Sequence, residues 1–218
     1  MISHTLTKNE IITIVSDRFE SNARIRALFD TNETKFKLNV KNLIDYCYNI
    51  SKRLNGIFIA SNQKTIIFFY VKSEYNQTWA DLWRYIKVVL TMQTNKLYSN
   101  MKREQMVKKS RLALSDYIYV WFLAQDKSYG KLDGLIEIQK FLFKESLEKK
   151  LPILMETSNE NVVNLYQRAS FSIYKVQEIC GEKIYFLHAD IDTVSRYWEI
   201  QRGRSEETLL SRSHFSVS

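Results

Sequence analysis

Proline is all but missing from this sequence. Pro152 stands alone in 218 residues, and there are only five glycines. Long disordered segments and open linkers draw on both residues, so neither is expected over the bulk of the chain. Cysteine is equally scarce. Cys47 and Cys180 lie far apart and no Cys-x-x-Cys occurs, which excludes a cysteine-based zinc site and leaves no metal centre to expect. A reducing, cytoplasmic setting is the expectation that follows. No apolar run approaches the eighteen or so residues of a membrane span, and Met1 to Arg18 is polar and mixed. No secretory leader and no membrane contact are therefore expected. Internal repeats and low-complexity segments are absent too.

What is present is ordinary globular material: 45% hydrophobic and 26% charged residues, with 13 tyrosines and 12 phenylalanines. So many rings argue for a well-filled interior. The net charge is +8, but the lysines and arginines are scattered rather than gathered in a block. That pattern fits a solvated basic surface better than a nucleic-acid interface. Length and composition suit one domain over residues 1–200, followed by a polar tail, 201–218, rich in Ser and Arg.

Apolar spacing predicts helices over residues 8–29, 41–54, 79–98, 135–149 and 160–169. Strands are predicted at 56–61 and 65–71, a hairpin turning at Asn62 to Lys64, and again at 117–124, 151–156, 171–179 and 183–188. The run Tyr117 to Ala124 (YIYVWFLA) is apolar on both faces, as a central strand covered on both sides would be. Residues 102–111 read as a basic, polar connector. Hairpins mixed with crossovers predict an α/β fold with a twisted mixed sheet covered by helices.

From Tyr117 to Leu187 the sequence resembles the GNAT superfamily of N-acetyltransferases. The segment LPILMETSNENVVNLYQRASFSIYK, residues 151–175, is similar to the family's strand ending in Glu-Thr, its short Leu-Tyr-x-x-x-Gly-Phe helix and its next strand. The resemblance implies a GNAT acyl-CoA N-acyltransferase fold. It implies transfer of an acetyl or other short acyl group from acetyl-CoA, the donor co-substrate, to a primary amine on a small molecule or peptide. The amine would attack the thioester directly.

Such chemistry makes three demands. A cradle for the coenzyme A pyrophosphate would come from a loop resembling Gln/Arg-x-x-Gly-x-Gly/Ala, where backbone N–H groups and a helix N-terminus face the phosphates. The counterpart here runs from Gln125 to Leu135. In one register Gly134 fills the last glycine position and Leu132 replaces the middle one; in the other, Asp133 and Leu135 replace both. Gly130, Lys127 and Lys131 are further candidates, the two lysines as a source of charge. The pantetheine arm would lie between splayed strands, against Leu123 to Gln125 and Met155 to Thr157. Proton handling would fall to Tyr166 as general acid for the departing thiolate, with Glu156 orienting or deprotonating the amine. Asn161 lies near a family asparagine position that Val162 occupies, and Ser170 stands where a glycine is expected. The alternative is a GNAT-fold binding or regulatory protein that has lost its coenzyme A site. A homodimer is one option for assembly.

Overall fold

The computed structural model describes residues 6–29, 32–92 and 94–201. Apart from its first residue, the expected tail therefore lies outside the described residues. Helix α1 (Lys8–Phe19) opens on a capping box, Thr7 with Glu10, which satisfies two of the N–H groups that a helix start leaves bare. The helix expected over 8–29 is in fact two. The Asn22 side-chain oxygen accepts from the Ile25 amide at 3.2 Å and restarts the chain as α2 (Ala23–Leu28), the typical work of an asparagine cap. Helix α3 (Glu33–Arg53) also begins earlier than expected, capped by Asn32. It buries Phe36, Val40, Ile44, Cys47 and Ile50 on one stripe, and each such side chain contributes roughly 1.5–3 kcal/mol of transfer free energy.

The chain turns from α3 into the hairpin β1 (Ile57–Ile59) and β2 (Thr65–Val71) at Gly56. Only glycine fits there, because a Cβ would stand 1.8 Å from the Phe69 carbonyl oxygen. Two helices then lead to the centre of the sheet. The helix expected over 79–98 stops at α4 (Trp79–Leu90), where the Thr91 hydroxyl folds back on the Val88 carbonyl at 2.7 Å. The stretch expected as a connector is helical: α5 (Thr94–Ser110). It has little apolar stripe to find, but Lys, Arg, Glu, Gln and Met are strong helix formers. Arg103 fixes it from the side by donating to Glu182 at 3.0 and 2.5 Å.

The remaining elements are β3 (Ile118–Gln125), α6 (Asp133–Lys149), β4 (Ile153–Thr157), α7 (Glu160–Arg168), β5 (Ser172–Ile179) and β6 (Glu182–Ala189). A further helix, 191–201, was not expected from the sequence. Asp190 caps it through the Thr193 amide at 2.7 Å, and Val194, Tyr197 and Trp198 pack it into the core. The six strands form one mixed sheet in the order β1-β2-β3-β4-β6-β5. Only the β3–β4 pair is parallel, and α6 supplies its crossover. Alternation along the strands splits the core. Ile67, Val120, Ile153, Met155 and Leu187 face α6 and α7, whereas Ile66, Phe68 and Ala124 face α1 and α3.

Candidate active site

Strands β3 and β4 pair only at Ile118–Ile153 and Tyr119–Leu154. Beyond those two pairs they part, although β3 runs on to Gln125 and β4 to Thr157. The cause lies on the other edge of β3. Phe69 of β2 faces Val120 and Phe68 faces Phe122, so Trp121 is the extra residue of a β-bulge. A bulge bends its strand and breaks the alternation, and here it turns β3 away from β4 at the point where the parallel pairing ends.

The wedge opens into a cavity of about 230 Å³ on the α6–α7 side. Val120 and Leu123 line it from β3, Met155 from β4, Ile138 and Leu142 from α6, and Tyr166 from α7. Apart from Tyr166, its polar lining is confined to Gln139 and Arg168. The Gln139 amide is already spent on the Ala169 carbonyl at 2.9 Å.

Tyr166 reaches this wall because of how α7 ends. The Phe171 amide donates to the Tyr166 carbonyl and the Ser170 amide to the Gln167 carbonyl, both at 3.0 Å, with Ser170 left-handed at φ 65. This is the Schellman motif, whose left-handed position glycine usually fills. Among the described residues nothing hydrogen-bonds the Tyr166 hydroxyl. Burial pushes its pKa up to about 12, against a smaller opposing pull from Arg18, so the phenol keeps its proton at neutral pH.

On the opposite face of the same wedge sits a polar cluster that the sequence did not announce. Arg111, just beyond α5, donates to Glu156 at 2.8 Å and to the Tyr119 hydroxyl at 2.7 Å. Its guanidinium lies 3.9 Å from the centre of the Tyr119 ring, and Tyr119 in turn donates to the same Glu156 oxygen, Oε1. Burial opposes the Arg111 charge, but Tyr119 and Glu156 more than offset it. The second Glu156 oxygen has no partner among the described residues. Strand alternation in YIYVWFLA carries a signal that separates Tyr119 from Val120; nothing local to Arg111 places it beside Glu156.

The other candidates are spread around the loop that follows β3. Gln125 donates to the Lys131 carbonyl at 2.7 Å and so pins the loop. Three loop amides are already bonded within the protein. Asp126 N–H donates to the Lys64 carbonyl at 2.7 Å, Ser128 N–H to the Asp126 carboxylate at 2.9 Å, and Tyr129 N–H to the Asp126 carbonyl at 3.0 Å. Bonds from Ser128, joined by Lys64, hold Asp126 down at about 2. Asp133 stands at the start of α6 and accepts from the Tyr129 hydroxyl at 2.7 and 2.9 Å, which keeps it below the usual carboxylate range.

Gly134 is buried against the hairpin, where a Cβ would meet Thr65 Oγ1 at 2.2 Å and Asn62 Nδ2 at 2.3 Å. Gly130, Lys127 and Lys131 are exposed. The Thr157 hydroxyl accepts from the Asn159 amide at 3.1 Å. Asn161 is exposed in the first turn of α7, its amide bonded to Asn159 Oδ1 at 3.1 Å. Of the expected site residues, the structure brings Leu123 and Tyr166 to one cavity and Glu156 to the other face of the same wedge. The wedge fits a narrow, mostly apolar arm. The loop, with three of its amides engaged and two carboxylates on it, does not fit a pyrophosphate.

No family model matches the sequence and no curated protein resembles it significantly; the likeness to known proteins is one of structure. The C-terminal condensation domain of Ebony, solved with beta-alanyl-dopamine, superposes with a TM-score of 0.58 at 7% identity, over 82% of this chain and 92% of that one. The histone acetyltransferase HPA2 and related acetyltransferase from Corynebacterium glutamicum gives 0.55 at 9% identity, over 85% and 93%. A mosquito arylalkylamine N-acetyltransferase like 5b gives 0.51 at 10% identity, over 83% and 93%. Strand order, the bulge-driven wedge and these superpositions agree: the chain has the GNAT acyltransferase fold.

Proposed function

We propose that this protein is an N-acyltransferase that moves an acetyl or short acyl group from a pantetheine thioester, such as acetyl-CoA, to a primary amine. The observation that carries the reading is the wedge between β3 and β4, with Tyr166 in one wall and Glu156 on the far face. A thioester laid along the wedge presents its sulfur to Tyr166 and its carbonyl to the Glu156 side. Small amines are the favoured acceptors, since arylalkylamine and dopamine appear among the structural neighbours' names.

The chemistry asks little of the protein beyond placement and proton control. A neutral amine nitrogen forms the C–N bond at the thioester carbonyl, the C–S bond breaks, and the thiolate leaves. Tyr166, protonated to about pH 12, donates a hydrogen bond to that sulfur. Complete proton transfer to a thiolate of pKa near 8.5 runs uphill from such a phenol, so its contribution is stabilisation of developing charge. The unpaired Glu156 oxygen receives the acceptor ammonium; one proton passes to water before attack, and the second, shed by nitrogen as the amide forms, passes through water to the thiolate, which leaves as the thiol. Leu123 holds the arm. Gln125, Lys127, Gly130, Lys131 and Gly134 shape the loop at its outer end, and Thr157 and Asn161 shape the turn into α7.

A second reading, a GNAT-fold binding protein without transfer, is favoured by the self-satisfied loop. Millimolar acetyl-CoA and acetyl-pantetheine, each with a panel of small primary amines, separate the two when melting temperature and thiol release are followed together. A ligand that binds the native state must stabilise it. Stabilisation with amine-dependent thiol release supports transfer, stabilisation alone supports binding, and neither effect overturns both.

A further inference from the structure

We infer that the acyl donor is recognised through its pantetheine arm and not through a nucleotide, and that the arm is presented on an acidic carrier protein. This rests on the acyltransferase reading and deepens it. Coenzyme A and a carrier protein offer the same thioester on the same arm, joined to one phosphate; coenzyme A adds a second phosphate and a nucleotide, and the carrier adds a folded protein surface instead. In this protein the arm has a place and the nucleotide has none. Three amides of the loop after β3 are already donated within the protein, at Asp126, Ser128 and Tyr129. The carboxylates of Asp126 and Asp133 stay ionised there, the first at about 2 and the second below the ordinary range. A pyrophosphate would find negative charge at hydrogen-bonding range where it needs donors. Gly134, the glycine available to admit a phosphate, is filled from behind by Asn62 and Thr65.

The rim of the cavity has another chemistry. Leu132 and Ile136 line the cavity and are 55% and 47% exposed. Lys127 and Lys131 are exposed on the loop that precedes Leu132, and Arg168 lines the cavity from α7. Among the described residues none of these three cations forms an ion pair. Exposed apolar side chains bordered by free cations complement an acidic surface with an apolar contact at its centre. With a net charge of +8, the whole chain attracts such a partner and repels a second copy of itself.

Titration calorimetry of the full chain with coenzyme A and with pantetheine tests the first half. Their dissociation constants are expected to agree within about threefold, and Asp133→Asn to tighten coenzyme A severalfold while leaving pantetheine unchanged. Coenzyme A binding tenfold or more tighter than pantetheine to the unaltered protein sinks the inference and leaves the acyltransferase reading standing. Failure of both to bind at millimolar concentration sinks the acyltransferase reading itself. For the second half, an acyl carrier protein bearing phosphopantetheine is compared with its apo form. The loaded form is expected to bind at least about tenfold more tightly than free pantetheine, with the gain lost in 0.5 M salt or in the K127E/K131E variant. The melting temperature of that variant should match that of the unaltered protein, which shows that it is folded. A loaded carrier that binds no better than free pantetheine overturns the carrier.

Discussion

Tyr166 and Phe171 meet edge to face, with ring centroids 6.3 Å apart, across the left-handed turn at Ser170. In the Schellman motif the residue beyond the left-handed position touches the one whose carbonyl it binds, and here those residues are Phe171 and Tyr166. The helix ending and the placement of the phenol in the cavity wall are thus one piece of geometry. A tyrosine at the end of α7 reaches the wedge because a phenylalanine holds its ring from below.

Ser170 carries the cost of that turn. At φ 65 a Cβ is strained and glycine is not. Ser170→Gly is expected to stabilise the protein by about 0.5–1 kcal/mol, even after the entropy that glycine adds to the unfolded chain. Ser170→Val should lose 1 kcal/mol or more. Urea midpoints at constant m-value read both, and loss of stability in the glycine variant would contradict the motif.

Tyr166→Phe keeps the ring packing and removes only the hydroxyl. Under the proposed mechanism kcat falls about 10²-fold while the melting temperature and the donor KM hold. The pH profile adds a second check. A hydrogen-bond donor is lost as pH rises through its pKa, here about 12, so Tyr166 gives no falling limb between pH 6 and 10. The rate should climb over that range as the amine loses its proton. A fall near pH 9 would assign the limb to some other group.

Arg111→Met leaves the Glu156 carboxylate unpaired at a site where both side chains are largely buried, 9% and 15% exposed. Removing one partner of a buried pair costs about 3–5 kcal/mol. The double variant R111M/E156L should cost clearly less than the sum of the two single changes, because no orphan charge remains. Additive losses in chemical denaturation would mean that the pair is not coupled.

Gly134→Ala should cost about 1–3 kcal/mol, since its new methyl meets the Thr65 side chain and the Asn62 amide at close range. Gly130→Ala, with nothing within 4 Å of the added carbon, should change stability by less than about 0.5 kcal/mol. A Gly134 reserved for phosphate would show the reverse signature: donor affinity lost and stability kept.

Much of this protein was legible in the residues. The run YIYVWFLA reads as a doubly covered strand because both of its faces are apolar, and the 151–175 segment fixes strand, helix and strand in turn because each carries its own local period. Tyr166 follows from that segment. Where neighbouring side chains compete locally, reading the sequence alone went astray: Asn22 caps a second helix inside an apparently continuous pattern, and α5 hides behind a basic composition with almost no stripe.

The site itself was decided in three dimensions. Whether β3 and β4 part depends on the unpartnered Trp121 in the ladder with β2, a register that no single strand contains. Glu156 acquires its partner from Arg111, forty-five positions away in sequence. Gly134 looks like a phosphate glycine until the hairpin is seen packed behind it. Sequence determines local conformation through spacing and propensity. Which faces meet, which amides are already spent and which charges remain free depend on contacts between distant segments, and those set what the wedge can hold.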